Sequence, residues 1–259
     1  MKSIIKKLIA LSNYKIVSKK SSVHQAYSQE RNMEYSLRHL KSLRYDVNCI
    51  VDVGAGCGTE PLLSVFPDAE YILIEPLEEF YSQLEMLKLK YNVKKIVSAA
   101  VGTQSTDVIL NVHPDLYGSS LLKENEGPGA DGEPRTVKTI KLKNEIAHLN
   151  NQQNNILKVD VQGAELDVLK SAYEFLHVFH VIILEVSFFK FQKNAPEFSE
   201  VINFMNDNEY VLYDIFDLTV RPLDNALAQA DILFVKKDGK FRHSHDYADV
   251  NTRQKMKDV

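Results

Sequence analysis

Between residues 49 and 235 the chain alternates two textures. Short runs dense in Val, Ile and Leu, at 49–53, 71–75, 95–98, 156–161, 181–186, 210–215 and 232–235, are separated by stretches with helical spacing of apolar residues, notably 77–91, 164–176 and 196–206. Strands that are apolar on both faces belong to sheets covered by helices on each side, and the strand–helix rhythm predicts an open, doubly wound α/β sheet. The interval 108–142 breaks that rhythm. Two strand-like pieces, 108–112 and 137–142, flank an acidic stretch rich in Gly and Pro at 124–134, which predicts a mobile surface loop.

The two ends are built differently. Residues 1–20 hold six lysines and no acid, with Ile4, Ile5, Leu8 and Ile9 at helical spacing. This reads as a capping helix with solvated lysines, a helix lying on a membrane surface being the alternative. Tyr27, Met33, Leu37, Leu40 and Leu43 predict a second helix over 21–45. Past Asp238 the chain is polar and without periodicity. The expected organisation is therefore an N-terminal helical extension over 1–45, a core domain over 46–237 and a tail over 238–259. No apolar run approaches the roughly 20 residues that span a bilayer, so no transmembrane helix is expected.

With 259 residues, 44% of them hydrophobic and 25% charged, the chain can bury the core of one α/β domain. A net charge of −4 argues against a general nucleic-acid binder, which carries a basic domain, and favours a small-molecule partner. The two cysteines, Cys49 and Cys57, are held apart by a predicted strand and lie out of disulfide reach. Two free thiols and a reducing, cytoplasmic location are expected.

The first strand ends in Asp52-Val53-Gly54-Ala55-Gly56-Cys57-Gly58-Thr59. Glycines at a strand-to-helix turn let backbone turn sharply and approach a ligand closely. The dinucleotide fingerprint is spaced G-x-G-x-x-G and seats a pyrophosphate at a helix N-terminus. Here the spacing is G-x-G-x-G behind an acid, which would repel a pyrophosphate but suits the ammonium and sulfonium of S-adenosylmethionine. About twenty residues on, the strand Ile72-Leu73-Ile74-Glu75-Pro76 ends in an acid placed to take both ribose hydroxyls.

With these segments, Gly118-Ser119-Ser120-Leu121 and the run from Leu157 to Lys170, Leu-Lys-Val-Asp-Val-Gln-Gly-Ala-Glu-Leu-Asp-Val-Leu-Lys, the sequence resembles the FkbM family of S-adenosylmethionine-dependent methyltransferases over roughly residues 48–236. The resemblance implies a seven-stranded class I (Rossmann-like) methyltransferase sheet whose final antiparallel strand would be 231–235. It also implies O-methylation of a sugar or natural-product hydroxyl, with Ser119 and Ser120 as a hydroxyl pair near the cofactor. The chain departs from the family pattern at Gln162, where an acid is common, and at Lys143-Asn144-Glu145, where the family tends to be richer in acids.

Ligands of such sheets bind beyond the carboxyl ends of the strands. Asp160 and Glu185 end two of them and are the catalytic candidates, Asp160 to orient or deprotonate an acceptor hydroxyl or to hold the methionine ammonium, Glu185 to line the acceptor pocket. The cofactor set is Asp52, Gly54, Ala55, Gly56, Gly58, Thr59, Glu75, Pro76, Ala99, Ala100, Ser119, Ser120, Asp160 and Val161. Glu165 reads as a structural acid in a helix's first turn. Asp160, Glu165 and Glu185 also form an oxygen set of the type that holds a divalent metal, but the spacing of three acids is unspecific and no metal is assigned. The aromatic group Phe188, Phe189 and Phe191 reads as packing in preference to an acceptor wall, and His24, His39 and His113 as surface or core histidines in preference to bases. The competing functions are an NAD-dependent oxidoreductase and a non-catalytic scaffold.

Overall fold

The apolar runs become strands whose pleat feeds two separate cores. In the computed structural model, which describes residues 31–257, the elements are α1 (Met33–Ser42), β1 (Cys49–Val53), α2 (Glu60–Val65), β2 (Glu70–Ile74), α3 (Tyr81–Leu87), β3 (Asn92–Val97), β4 (Ala100–Val101), β5 (Asp107–Val112), β6 (Glu133–Ile140), α4 (Lys143–Ile146), β7 (Asn155–Val159), α5 (Glu165–Lys170), β8 (Phe179–Ser187), α6 (Phe198–Asp207), β9 (Tyr210–Val220), β10 (Leu227–Lys236) and α7 (Val250–Lys257). Because side chains alternate along a strand, Ile50, Ile156, Val181 and Ile183 enter one buried cluster. Val51, Val53, Leu157, Val159 and Leu184 enter the other.

Seven strands pair in the order β3-β2-β1-β7-β8-β10-β9. All neighbours from β3 to β8 are parallel, and β10 runs antiparallel to both β8 and β9. This is the seven-stranded doubly wound α/β fold with one reversed strand, and 231–235 falls in that strand. The chain winds outward from β1 to β3 and then returns to β7 on the other side of β1. That reversal opens a crevice at the carboxyl ends of β1 and β7. A second sheet, β4-β6-β5, is built by the interval that breaks the strand–helix rhythm.

Residues 31–244 form one unit. In it α1 contributes Leu37 and Leu40, both fully buried, to the first core cluster. Asn32 caps the helix by accepting from the Tyr35 amide at 2.8 Å, and Asp214 of β9 accepts from Ser36 Oγ at 2.7 Å and pairs with Arg31 at 2.5 Å. The described part of the other unit, 245–257, contains α7. The basic segment 1–20, His24 and Tyr27 lie outside the described residues.

Several expected boundaries shift. The helix expected over 77–91 is a 3-10 turn, Glu78–Phe80, followed by α3, and that expected over 164–176 is α5 followed by a 3-10 segment, Tyr173–Val178. The loop expected to be mobile is pinned. Asp131, buried, accepts from the Glu124 amide at 2.7 Å, and the Asn125 amide donates to the Phe191 carbonyl at 2.8 Å. Its last residues join β6, which starts at Glu133 because 133–136 pair with β5. The expected tail begins inside the fold, with Phe241 edge-on to Tyr45 at 5.2 Å between ring centroids. Among the described residues no helix is long and apolar enough to cross a membrane, and Cys49 and Cys57 are free.

Candidate active site

A cavity of about 240 Å³ opens at the carboxyl ends of β1, β2, β7 and β8. Its floor is the glycine turn. Gly54 and Ala55 donate to the Ile74 carbonyl at 3.0 and 3.2 Å, folding the turn back over β2. Gly54 has φ +73°, and a Cβ there would lie 1.8 Å from the Asp160 carbonyl oxygen, so only glycine lets the ends of β1 and β7 approach so closely. At Gly56 a Cβ would stand 3.2 Å from the Tyr117 ring, narrowing the space between turn and ring.

Glu75 closes one side. It is buried, and its two oxygens each accept one backbone amide, Gly56 at 2.8 Å and Leu77 at 2.9 Å. Burial pushes its carboxyl up and the two amides oppose the shift. Each carboxylate oxygen has a second lone pair, so the residue retains capacity for two further donors. Pro76, Leu77, Phe80, Ala99 and Ala100 give this side an apolar wall. Tyr117, largely exposed, lies 5.2 Å from Phe80 by ring centroids and roofs the turn.

Asp160, Val161, Gln162 and Glu185 line the other side. Beneath them lies an ion cluster that the sequence reading missed. Lys158 and Asp52 are register partners on β7 and β1, and both are buried. The Lys158 ammonium stands 3.5 Å from Asp52 Oδ1 and 3.3 Å from Asp160 Oδ2, and donates to the Gly54 carbonyl at 3.4 Å. Burial alone would lower Lys158; Asp160, Asp52 and Asp231 outweigh it and hold the ammonium above its ordinary value. Asp52 is pushed up by burial, with Lys158 opposing, and its Oδ1 accepts no hydrogen bond. A signal for this pairing exists in the sequence. A lysine inside a strand apolar on both faces must find an anion, because an unpaired buried charge is very costly.

The acids on this side are crowded. Gln162 donates from Nε2 to Asp160 Oδ1 at 3.0 Å and to Glu185 Oε2 at 2.8 Å, and Gln229 donates to the same Glu185 oxygen at 2.9 Å. Burial, then Asp160, Asp231 and Glu165, push Glu185 up to about 8. Burial and Asp160 push Asp231, its cross-strand neighbour, to about 7. Glu165 accepts from the Gly163 amide at 2.9 Å, a structural contact at the start of α5, and burial pushes it to about 7.

Of the expected cofactor residues, Gly54, Gly56, Glu75, Pro76, Ala99 and Ala100 line the cavity, as do Ser119, Asp160 and Val161. Five do not. Asp52 lies below the turn against Lys158, and Ala55 is buried with its carbonyl taken by the Gly58 amide at 2.7 Å. Gly58 faces Leu87 and Leu63, where a Cβ would clash at 2.5 Å with Leu87. Thr59 stands at the N-cap position of α2 without a side-chain capping bond and bonds the Asp52 carboxylate instead. Ser120 is buried and donates to the Gln162 carbonyl at 2.7 Å, joining the β5–β6 connection to the loop after β7 from behind. Phe188 stacks on Phe198, and Arg221 lies over Phe189 at 3.9 Å, so these rings pack outside the cavity. His39 meets the Tyr213 hydroxyl at 3.1 Å, and His113 lies 3.9 Å from Glu124. Among the described residues no group of three or more His, Cys, Asp or Glu is arranged to hold a metal.

A profile of the Methyltransferase FkbM domain matches residues 52–212. No curated protein sequence matches the chain. The chain also has a distant similarity to solved structures, three of which follow. Magnesium protoporphyrin IX methyltransferase from Synechocystis is 11% identical over 85% of this chain and 86% of its own, with a TM-score of 0.44. Precorrin-6y C5,15-methyltransferase from Geobacter metallireducens is 10% identical over 86% and 94%, at 0.43. The 1,6-didemethyltoxoflavin-N1-methyltransferase of Burkholderia thailandensis is 11% identical over 84% and 85%, at 0.42.

Proposed function

Since the chain belongs to the FkbM methyltransferase domain family over residues 52–212, we propose that it transfers a methyl group from S-adenosylmethionine to a hydroxyl of a small molecule, a sugar or other natural product. The observation that carries this reading is the polarity of the cavity. A buried carboxylate with capacity for two hydroxyls stands at one side, and acids held by an amide bridge stand at the other. Glu75 and Asp160 line the space, while the nearby ammonium, Lys158, is already engaged by Asp52 and Asp160. Such a field suits a sulfonium and an ammonium and opposes a pyrophosphate, which argues against NAD.

Glu75 would take the ribose hydroxyls, the apolar wall from Pro76 to Ala100 the adenine, and the Gly54–Gly56 turn and Asp160 the methionine part. When bound, the cofactor would supply an electrophilic methyl for a new C–O bond made as its S–CH₃ bond breaks, and the acceptor's proton would pass to a carboxylate or to water. Asp160, its Oδ2 braced by Lys158 and its Oδ1 by Gln162, orients the acceptor hydroxyl. General-base assistance from such a group contributes roughly 10²–10⁴-fold, and in-line positioning can contribute about 7–11 kcal/mol, so positioning carries more of the rate than proton removal. Tyr117 and Phe80 limit water at the open side.

Isothermal titration with S-adenosylhomocysteine and, separately, with NAD tests the reading without knowledge of the acceptor. Binding of the first alone is expected. Binding of neither would favour a scaffold that kept the fold, and binding of NAD alone would replace the proposal with an oxidoreductase.

A further inference from the structure

Glu185 lies two residues before the end of β8, at the cavity wall, and its two oxygens are treated unequally. Oε2 accepts both amide donors, from Gln162 at 2.8 Å and Gln229 at 2.9 Å, and among the described residues no hydrogen bond reaches Oε1. The β10 register slips on both sides of Gln229, the kind of irregularity that re-aims a side chain beside a site. Gln162 holds φ +53°, a left-handed conformation uncommon for a residue with a Cβ. Both glutamines are thus committed to one oxygen. A carboxyl group that accepts twice on one oxygen and nowhere on the other has that second oxygen free to carry a proton, with C=O on the first and O–H on the second.

The charges around it favour that form. Asp160 and Lys158 face Glu185 from the end of β7, Asp231 from the paired position on β10, and Glu165 from α5. Three carboxyl groups oppose one ammonium, and that ammonium is drawn toward Asp52 and Asp160.

Resting on the methyl-transfer reading above, we infer that Glu185 is a specificity-determining residue that works protonated, donating a hydrogen bond from Oε1 to an oxygen lone pair beside the hydroxyl to be methylated, with Gln162 and Gln229 as its positioning residues. The acceptor class follows from that donor. It carries an oxygen adjacent to the reacting hydroxyl, as in a vicinal diol, a hydroxy-ether or a hydroxy-carbonyl. An ammonium at that point would meet a donor where it needs an anion. The Gln162 amide group, serving Asp160 with one hydrogen and Glu185 with the other, keeps the hydroxyl-orienting acid and the neutral donor at a fixed spacing.

The test uses the full chain labelled with ¹³C at glutamate carboxyls and titrated by NMR from about pH 4 to about pH 10, the Glu185 resonance being identified by its loss in Glu185→Gln. The expected midpoint is about 8. A midpoint near the ordinary glutamate value of about 4.3 would overturn the inference. Calorimetry with S-adenosylhomocysteine on the same sample separates the two readings. Failure to bind with a midpoint near 8 sinks the cofactor reading alone, and normal binding with a midpoint near 4.3 sinks the role of Glu185 alone. Against a panel of methyl hexopyranosides and S-adenosylmethionine, Glu185→Ala, which removes the donor, should raise the acceptor KM by about tenfold, and Glu185→Gln, whose amide still donates, should recover part of that loss. An unchanged acceptor KM in Glu185→Ala would overturn the role, as would a fall in kcat of about 10²-fold or more in Glu185→Gln, the size expected for removal of a general base.

Discussion

At Glu75 each oxygen already accepts a buried backbone amide, so the residue supports both the turn and the ligand side of the cavity. Its replacement by alanine should therefore show in two measurements. Loss of two hydrogen bonds to a charged acceptor, at roughly 1.5–3 kcal/mol each, should weaken S-adenosylhomocysteine by at least about tenfold in calorimetry. Leaving the Gly56 and Leu77 amides without a partner should cost about 1–3 kcal/mol of stability. Unchanged affinity with lowered stability would keep Glu75 as a turn residue and take the ribose role away from it. Lys158 is the residue most hidden from sequence reasoning and the one with the largest expected effect. Lys158→Met strands two carboxylates, one fully buried, and should destabilise the fold by about 3–5 kcal/mol in urea denaturation. Adding Asp52→Asn should recover part of that loss. A cost below about 1 kcal/mol would mean that Asp52 already holds a proton in the folded protein.

The elements show why some of the structure was legible and some was not. β1, β7 and β8 were read from continuous apolar runs, since a strand covered on both faces can be little else at that length. The boundaries of α3 and α5 were not legible. The apolar spacing of 77–91 and 164–176 continues through 3-10 turns that bury Phe80 and Leu176 much as a helix would. β6 gained 133–136 because a strand 21 residues or more away, β5, supplies its hydrogen bonds, a long-range fact that no local pattern records. The glycine turn was read correctly as a turn, but the inward half, Gly54 and Gly56, could not be separated from Gly58, which packs on Leu87, without the course of α3. For α1, expected as an extension, the decisive fact is depth. Leu37 is fully buried in the first core cluster, so Leu37→Ala should cost about 2–5 kcal/mol in chemical denaturation. A cost near zero would show α1 to be an appendage that the core does not require.

For the whole molecule, strand order was the step beyond local reading: alternation predicts a doubly wound sheet, and only long-range pairing puts β7 beside β1 and Lys158 opposite Asp52. That meeting gathers acids at the switch point, and their protonation should appear in global stability. Glu165 and Asp231 are pushed to about 7 and Glu185 to about 8 by burial and mutual repulsion, whereas in the unfolded chain such groups titrate near 4. Between those limits the folded state binds more protons than the unfolded one, so each group's contribution is full below about pH 4 and is lost as pH rises through its folded value. The acids held low, such as Glu79 and Glu200, are exposed and titrate below that window. Unfolding free energy should therefore fall from about pH 5 to about pH 8, by up to about 1.4 kcal/mol per pH unit for each group still protonated in the fold. Urea denaturation across that range measures the slope, and Glu185→Gln should flatten it by up to about 1.4 kcal/mol per pH unit, most of all between about pH 5 and about pH 7, where Glu185 is protonated in the fold and ionised in the unfolded chain. A stability that rises over this interval would mean that the acids at the switch point ionise at ordinary pH, and the cavity would then present a fixed anionic charge whether or not a cation is bound.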